Sequence, residues 1–382
     1  MEQGNPSVLD VETKIAGKYT VGNWIELRKK LLNESTSEPD WLDAYNLFKL
    51  RIDTRFLKPI EAILAIIPEK DGQGFAACAL QCVLIEFLEA FYQGKVYRPP
   101  IDKDALKKQA KRLGIEFKEL EKHKQPNEYT SSISFFKSFL INRNPYNVFF
   151  DNKKADFFYK HFRCGLLHEA ATKGGSKIRA RKEFDPDCIV DTTENGIIIY
   201  RDAFQKAIDV YLEDYCKQLI QSNSLQTNYI RKMDDLAQIE RYFYFAYGSN
   251  LSTGQINDRI KYVHNQYKAK LSNYSFVYNK KSTDGTSKAN LEKIDGAVTW
   301  GLCYEIDRYQ FDYLKKNYEL GYDVIEVWVD SDSMGKIMAK TFISKSLTEA
   351  YPSSKYVDVI VTGARENQLP DDYIATSLNF AS

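Results

Sequence analysis

Through most of the first 230 residues apolar side chains recur at helical spacing, and after that they recur at strand spacing. From Trp41 to Ile67 they fall three and four apart (Trp41, Leu42, Tyr45, Leu47, Phe48, Ile52, Phe56), with Pro59 and Pro68 as punctuation. Gly72-Gln73-Gly74 then opens Phe75–Tyr92, the most apolar helix candidate in the chain, closed by Gly94 as a C-cap. Gln81, Glu86 and Glu89 interrupt it, which suits a central bundle helix. Further helices are predicted near Ile25–Leu32, before a Ser/Glu/Pro break at Glu34–Asp40, and over Ser131–Leu140, Phe157–Ala171 and Arg201–Gln221. The densely charged stretch 103–124 reads as a solvated helix. Asp191–Tyr200 is the exception, because Asn195-Gly196 before Ile197-Ile198-Ile199-Tyr200 predicts a small hairpin. Ser222–Gln226 reads as a linker, and a short helix, Arg231–Glu240, follows it.

From Tyr242 the texture changes. Tyr274–Tyr278, Gly296–Ile306, Asp323–Val329, Ile337–Phe342 and Val357–Thr362 alternate or are β-rich, with one helix predicted at Asp307–Lys316. The pattern therefore predicts a multidomain α and α+β chain. An all-α domain occupies about 1–230 and a mixed β domain about 240–382. A length of 382 residues exceeds what one ordinary core organises.

Composition narrows the classes of function. The chain is 43% hydrophobic and 14% aromatic, as globular proteins are, and its net charge is only +1. From Arg241 onward there are 17 basic and 17 acidic residues, against 36 and 35 before it. No whole-chain field marks a nucleic-acid or membrane partner, so any basic surface is local. Six scattered Cys with no C-x-x-C pair, and four His, argue against a zinc module and suit a reducing cytosol. MEQGNPSVLDVETK has no cationic start followed by an apolar run, so no signal peptide is expected, and no apolar run is read as long enough to span a membrane. The expected location is cytoplasmic.

The most legible stretch is Tyr242-Phe243-Tyr244-Phe245-Ala246-Tyr247-Gly248-Ser249-Asn250-Leu251. A strand runs into a Gly turn and then into a polar segment, Ser252–Arg259, suited to starting a helix. Such turns aim backbone N–H groups at anionic ligands. Downstream lie Trp300-Gly301 at a strand start, Tyr318-Glu319-Leu320-Gly321-Tyr322, Tyr356, Gly363-Ala364-Arg365-Glu366-Asn367, Leu369-Pro370 and Tyr373.

In order and near spacing, these segments make residues 242–378 resemble the gamma-glutamylcyclotransferase (AIG2-like) family. The resemblance implies a small mixed β-barrel with its pocket at the mouth. It also implies cyclisation of a γ-glutamyl amine or peptide to 5-oxoproline by the substrate's own α-amine. That reaction calls for no enzyme nucleophile, metal or cofactor. It needs orientation, a carboxylate base of raised pKa, and N–H donors for the oxyanion. Tyr247, Gly248, Ser249, Asn250 and Leu251 are the expected substrate loop. Counting from Trp300-Gly301, the family's Glu falls on Tyr318. A one-residue insertion makes Glu319 the base; without one the base is lost. Glu326, on the next strand, is a poorer candidate.

The helical part carries a second candidate. Phe162-Arg163-Cys164-Gly165-Leu166-Leu167-His168 resembles the Arg-x4-His motif of HEPN-type all-α domains, many of which are metal-independent ribonucleases. The resemblance implies Arg163 and His168 as catalytic residues and a homodimer that brings two motifs together, since residues five apart on a regular helix diverge by roughly 140°. Lys173, Lys177, Arg179, Arg181 and Lys182 form a basic run suited to RNA phosphates, or an ordinary solvated loop. The sequence thus supports a cyclotransferase first. A ribonuclease of toxin or defence type, regulated by a ligand-sensing C-terminal domain, is the alternative.

Overall fold

The computed structural model describes residues 9–33, 35–66, 72–98, 104, 107–108, 111, 127–185 and 187–379. The chain folds as two compact units, one of Leu9–Arg98 with Tyr129–Ala237, the other from Gln238 onward. The expected helix at 103–124 lies almost wholly outside the described residues.

The first unit is organised around the helix Gln73–Gln93, whose C-cap Gly94 sits at φ 64°. That left-handed geometry costs glycine nothing and lets Lys95 N–H reach back to the Ala90 carbonyl at 2.9 Å. By length and apolar composition this 21-residue helix would suffice to cross a membrane, contrary to the sequence expectation; three polar residues hid the length of the run. In this unit it is a core helix. Phe91 packs 4.6 Å from Phe48 and 4.9 Å from Phe87, ring centre to ring centre, and Leu84, Ile85 and Leu88 are fully buried. Each such side chain contributes about 1.5–3 kcal/mol.

The neighbours follow the sequence pattern with instructive departures. The Trp41 pattern becomes Glu38–Ile52 and Lys58–Leu64, joined through a π-helical turn, Asp53–Leu57. Pro59 sits in the first turn of the second piece, where a missing N–H costs least. Phe157–Ala171 is likewise divided: Asn152–Phe158 and Cys164–Glu169 flank a π-helical turn, Tyr159–Arg163. Ser222–Gln226 is not a linker. Ser222 caps a helix, Asn223–Leu236, by accepting from Leu225 N–H at 3.4 Å, and the helix belongs to the same unit. The hairpin forms as Val190–Thr193 against Gly196–Tyr200. Lys177–Arg179 adds to it as a parallel third strand.

The second unit is a closed five-stranded barrel. Its strands are β1 (Arg241–Ala246), β2 (Asn265–Lys281), β3 (Ser287–Asp307), β4 (Asp323–Ser331) and β5 (Gly335–Ile343), in spatial order β3-β1-β5-β4-β2. Neighbours are antiparallel except β1 and β5, which run parallel where Lys340 faces Tyr244. Closure gives every strand two neighbours, so none lies at the edge of the sheet. The core holds Phe245, Tyr304, Ile306, Leu314, Val329 and Phe342. Val357–Thr362 is not a strand but part of a helix, Ser354–Glu366. Its β-branched run misled the reading, whereas Val357, Ile360, Val361 and Ala364 fall on one helical face and are buried.

One ion pair in the helical unit makes a stability prediction. Glu89 is fully buried and takes two bonds from Arg143, at 2.8 and 2.9 Å. Arg143→Met leaves that carboxylate uncompensated and is expected to lower stability by about 3–5 kcal/mol in urea unfolding. An unchanged midpoint would show that Glu89 does not depend on its partner.

Candidate active site

The residues that end β1 turn sharply into the mouth of the barrel. Ser249–Leu251 forms a single 3-10 turn, and Ser252 caps the helix Thr253–Ile260 by accepting from Gln255 N–H. Leu251 N–H donates to the Gly248 carbonyl at 2.9 Å and Ser252 N–H to the Ser249 carbonyl at 3.2 Å. The N–H groups of Ser249 and Asn250, in the first turn, have no acceptor within it. Gly248 comes close to β3: a Cβ there would sit 3.0 Å from the Ala289 methyl.

Opposite this loop the helix Arg308–Asn317, capped by Asp307, ends in a tight turn. Glu319 N–H donates to the Leu314 carbonyl at 3.0 Å, and Gly321 takes φ 76°. Ser344 Oγ donates to the Gly321 carbonyl at 2.8 Å and fixes the turn. Tyr318 therefore points outward, 41% exposed, while Glu319 turns in. Glu319 shares one narrow cavity, about 30 Å³, with Tyr247, Gly248, Ser249 and Asn250; Tyr244, Tyr322 and Tyr356 supply its phenol walls. Leu251 is fully buried in the barrel core and does not line it. Glu326 is exposed on β4, opposite Lys340.

Polar contacts link the residues around the cavity. Asn250 Nδ2 donates to Glu319 Oε1 at 3.0 Å and to the Tyr244 oxygen at 2.9 Å, while Asn250 Oδ1 accepts from Arg259 at 2.7 Å. Arg259 Nη1 lies 3.8 Å from Glu319 Oε1, and its guanidinium covers the Tyr318 ring at 4.7 Å. The Ala289 backbone clamps two phenols: its N–H donates to Tyr356 and its carbonyl accepts from Tyr322. Tyr247 OH donates to the Phe342 carbonyl at 2.6 Å.

Burial raises the Glu319 carboxyl above the ordinary carboxylate value, while Arg259, Asn250 and Lys280 pull it back. Its side chain is 14% exposed. Burial also raises every phenol of the cavity, Tyr356 to about 12. Those phenols keep their protons at neutral pH. Glu319 is the one carboxylate among the cavity-lining residues. Lys280, its own pKa lowered by burial, sits 5.0 Å from the Tyr322 ring centre.

Sequence reasoning missed Arg259, which reads as one charge among many on a polar helix. Its position in the last turn of the helix that Gly248–Leu251 starts was the available signal, since that helix folds back toward the loop.

Within one chain Arg163 and His168 do not line a common cavity, as their spacing on the helix implies. Arg163 lines a larger cavity in the helical unit, with its guanidinium nitrogen 3.5 Å from Glu86 Oε2, whereas His168 is exposed and does not line it. Of the basic run, Lys173 pairs with Glu169 at 2.9 Å and Lys182 with Asp191 at 2.8 Å. Lys177, Arg179 and Arg181 are exposed.

Comparison with known proteins bears on the barrel unit. Residues 298–376 match the AIG2-like family. Human gamma-glutamylcyclotransferase is 29% identical over 143 residues, spanning 35% of this chain and 76% of that protein. The mouse protein is 28% identical over 142 residues with the same shares. A solved gamma-glutamyl cyclotransferase structure is 28% identical, covers 36% of this chain and 85% of its own, and superposes with a TM-score of 0.33. The C-terminal domain is AIG2-like.

The C-terminal tail of the AIG2-like domain has a structural explanation. Asn367 Nδ2 donates to the Leu251 carbonyl at 2.9 Å, and a Cβ on Gly363 would meet Ser252 N at 2.3 Å. The tail buttresses the loop. Gly363→Ala is expected to push the two apart and cost about 1–3 kcal/mol of barrel stability, read as an earlier urea midpoint. Wild-type stability in that variant would mean the loop is not held by this contact.

Proposed function

We propose that the AIG2-like domain is a cyclotransferase that converts a γ-glutamyl amine or peptide to 5-oxoproline. The observation that carries this reading is Glu319, a buried carboxylate of raised pKa that shares one cavity with Gly248, Ser249 and Asn250 of the loop. The similarity to human gamma-glutamylcyclotransferase supports it.

Glu319 accepts a proton from the substrate's α-ammonium, and the freed amine attacks the γ-carbonyl carbon. A C–N bond closes the five-membered ring, and the loop N–H groups hold the oxyanion. When the oxyanion collapses, the original amide C–N bond breaks. The departing nitrogen takes that proton from Glu319, and the freed carboxylate then removes the second proton of the ring nitrogen and passes it to the released amine, which leaves as its ammonium. No covalent enzyme intermediate is needed, so most of the acceleration comes from holding the chain bent. The cavity is narrow without substrate, and a glutamyl group enters by parting the phenol walls. Arg259, Asn250 and Lys280 favour the ionised form of Glu319 against the effect of burial. A ribonuclease reading would need Arg163 and His168 to meet across two subunits; it rests on the motif alone, and we do not propose it.

Glu319→Gln is expected to lower 5-oxoproline release by roughly 10²–10⁴-fold, as loss of a general base does. The fold is expected to survive. Because the carboxyl pKa is raised in the fold, stability falls as pH rises from the ordinary carboxylate value through that raised pKa. The amide variant escapes this loss and at neutral pH unfolds no more easily than wild type. Activity that persists in Glu319→Gln over a broad panel of γ-glutamyl substrates would sink the assignment.

Arg259 lowers the Glu319 pKa, so Arg259→Gln raises it further. The acid limb of the pH–rate profile is expected to move to higher pH, with activity lost at neutral pH and regained in more alkaline buffer. An unshifted limb would show that Arg259 does not govern the base.

A further inference from the structure

The central helix of the helical unit carries two carboxylates one turn apart, in opposite circumstances. Glu89 is saturated. Besides the two bonds from Arg143 it accepts from Ser138 Oγ at 2.7 Å and Gln93 Nε2 at 2.6 Å. Glu86 meets one guanidinium nitrogen of Arg163 at 3.5 Å, the outer limit for a hydrogen bond. The two side chains are 19% and 21% exposed.

That loose pair forms part of the wall of a cavity of about 420 Å³, within the size range of small-ligand sites. Ser131, Ser132 and Tyr159 line it with them, and the Ser132 and Tyr159 hydroxyls lie 3.2 Å apart. Tyr159 and Arg163 bound the π-helical turn Tyr159–Arg163, a distortion found disproportionately at functional sites. Among the described residues Arg163 makes this one hydrogen bond, although a guanidinium offers five N–H donors in a planar fork. Burial also pushes the Glu86 carboxyl up, against the pull of Arg163 and of a hydrogen bond from the Ser132 hydroxyl.

A ligand with one charge leaves this site half satisfied. An anion on Arg163 meets the like charge of Glu86, and a cation on Glu86 leaves the guanidinium unmatched. A small molecule carrying both charges on neighbouring atoms satisfies both. Its carboxylate accepts from the Arg163 fork, and its ammonium donates to Glu86 and to the serine hydroxyls. We propose that this cavity binds the zwitterionic head group of a free α-amino acid. The site owes nothing to the Glu319 chemistry of the barrel.

Isothermal titration of the full chain with free L-amino acids, glycine and L-glutamate included, tests this. Inorganic phosphate and the des-amino acids acetate and glutarate serve as controls. At least one amino acid is expected to bind wild type and Glu319→Gln alike. Its des-amino counterpart and phosphate should bind at least about tenfold more weakly, and Glu86→Gln and Arg163→Gln should each weaken the amino acid by about tenfold or more. Arg163→Lys keeps charge but not the fork and serves if Arg163→Gln fails to fold; the same weakening is expected. The proposal is overturned if no amino acid binds, if phosphate or a des-amino acid binds equally well, if binding is lost in Glu319→Gln, or if the Glu86 and Arg163 variants bind as wild type does.

Discussion

A single side-chain amide holds the barrel site together. An asparagine presents an acceptor and two donors in one plane, and Asn250 uses both ends: Oδ1 takes the Arg259 proton, and Nδ2 serves Glu319 and Tyr244. Its own carbonyl accepts from Tyr304 OH at 2.8 Å. The residue is 3% exposed, so unmet groups here would carry a full desolvation penalty. An aspartate at this position would set a second negative charge beside Glu319, and an apolar residue would strip both the carboxylate and the guanidinium of a partner. The geometry of the loop, the helix that bears Arg259 and the turn that bears Glu319 therefore depend on one another through this amide.

That mutual dependence explains why residues far apart in sequence matter to one short loop. Asn367 and Leu251 are 116 positions apart and are joined by a hydrogen bond. Gly363 removes the Cβ that would strike the Ser252 backbone, and Gly301 removes one that would lie 2.4 Å from the Ala246 carbonyl at the end of β1. Tyr356 closes the cavity from the last long helix while Ala289, on β3, holds its oxygen. Barrel closure is what makes such distant pieces neighbours. Under the proposed reaction, a loop fixed on every side would present its donors with little reorganisation as charge develops.

The sequence carried the local signals well and the long-range ones poorly. Arg201–Gln221 and the Gly94 stop were legible because helical period and cap residues are local properties. The strand into Gly248-Ser249-Asn250 was legible for the same reason. Val357–Thr362 misled because β-branched residues favour strands locally, and only packing against the loop decides for the helix. The π-helical turns left no periodic trace. Ser222–Gln226 has the composition of a linker, but Ser222 was serving as a cap. Glu319 was visible as a residue, whereas its direction was not. That direction hangs on Gly321 at φ 76° and on the Ser344 hydroxyl, and both are features of a turn rather than of a pattern. Arg259 and the phenol walls became apparent only once the barrel had brought them round the carboxylate.

Three sheltered carboxylates show how saturation separates structure from chemistry. A carboxylate has about four lone-pair sites. The protein fills them for Glu89 with Arg143, Ser138 and Gln93 and leaves it no exposure, so that group can exchange nothing without unfolding its surroundings. Glu319 has one close donor, Asn250, and a guanidinium at 3.8 Å, with a cavity in front. It is restrained enough to stay in place and open enough to take a proton from something that enters. Glu86 has the loosest partner of the three and faces the largest space. All three share the desolvation cost of burial to some degree, so burial alone does not rank them. What ranks them is the number of lone pairs the protein leaves unfilled: by that measure Glu89 holds the fold, and Glu86 and Glu319 have room for the ligands we propose for them.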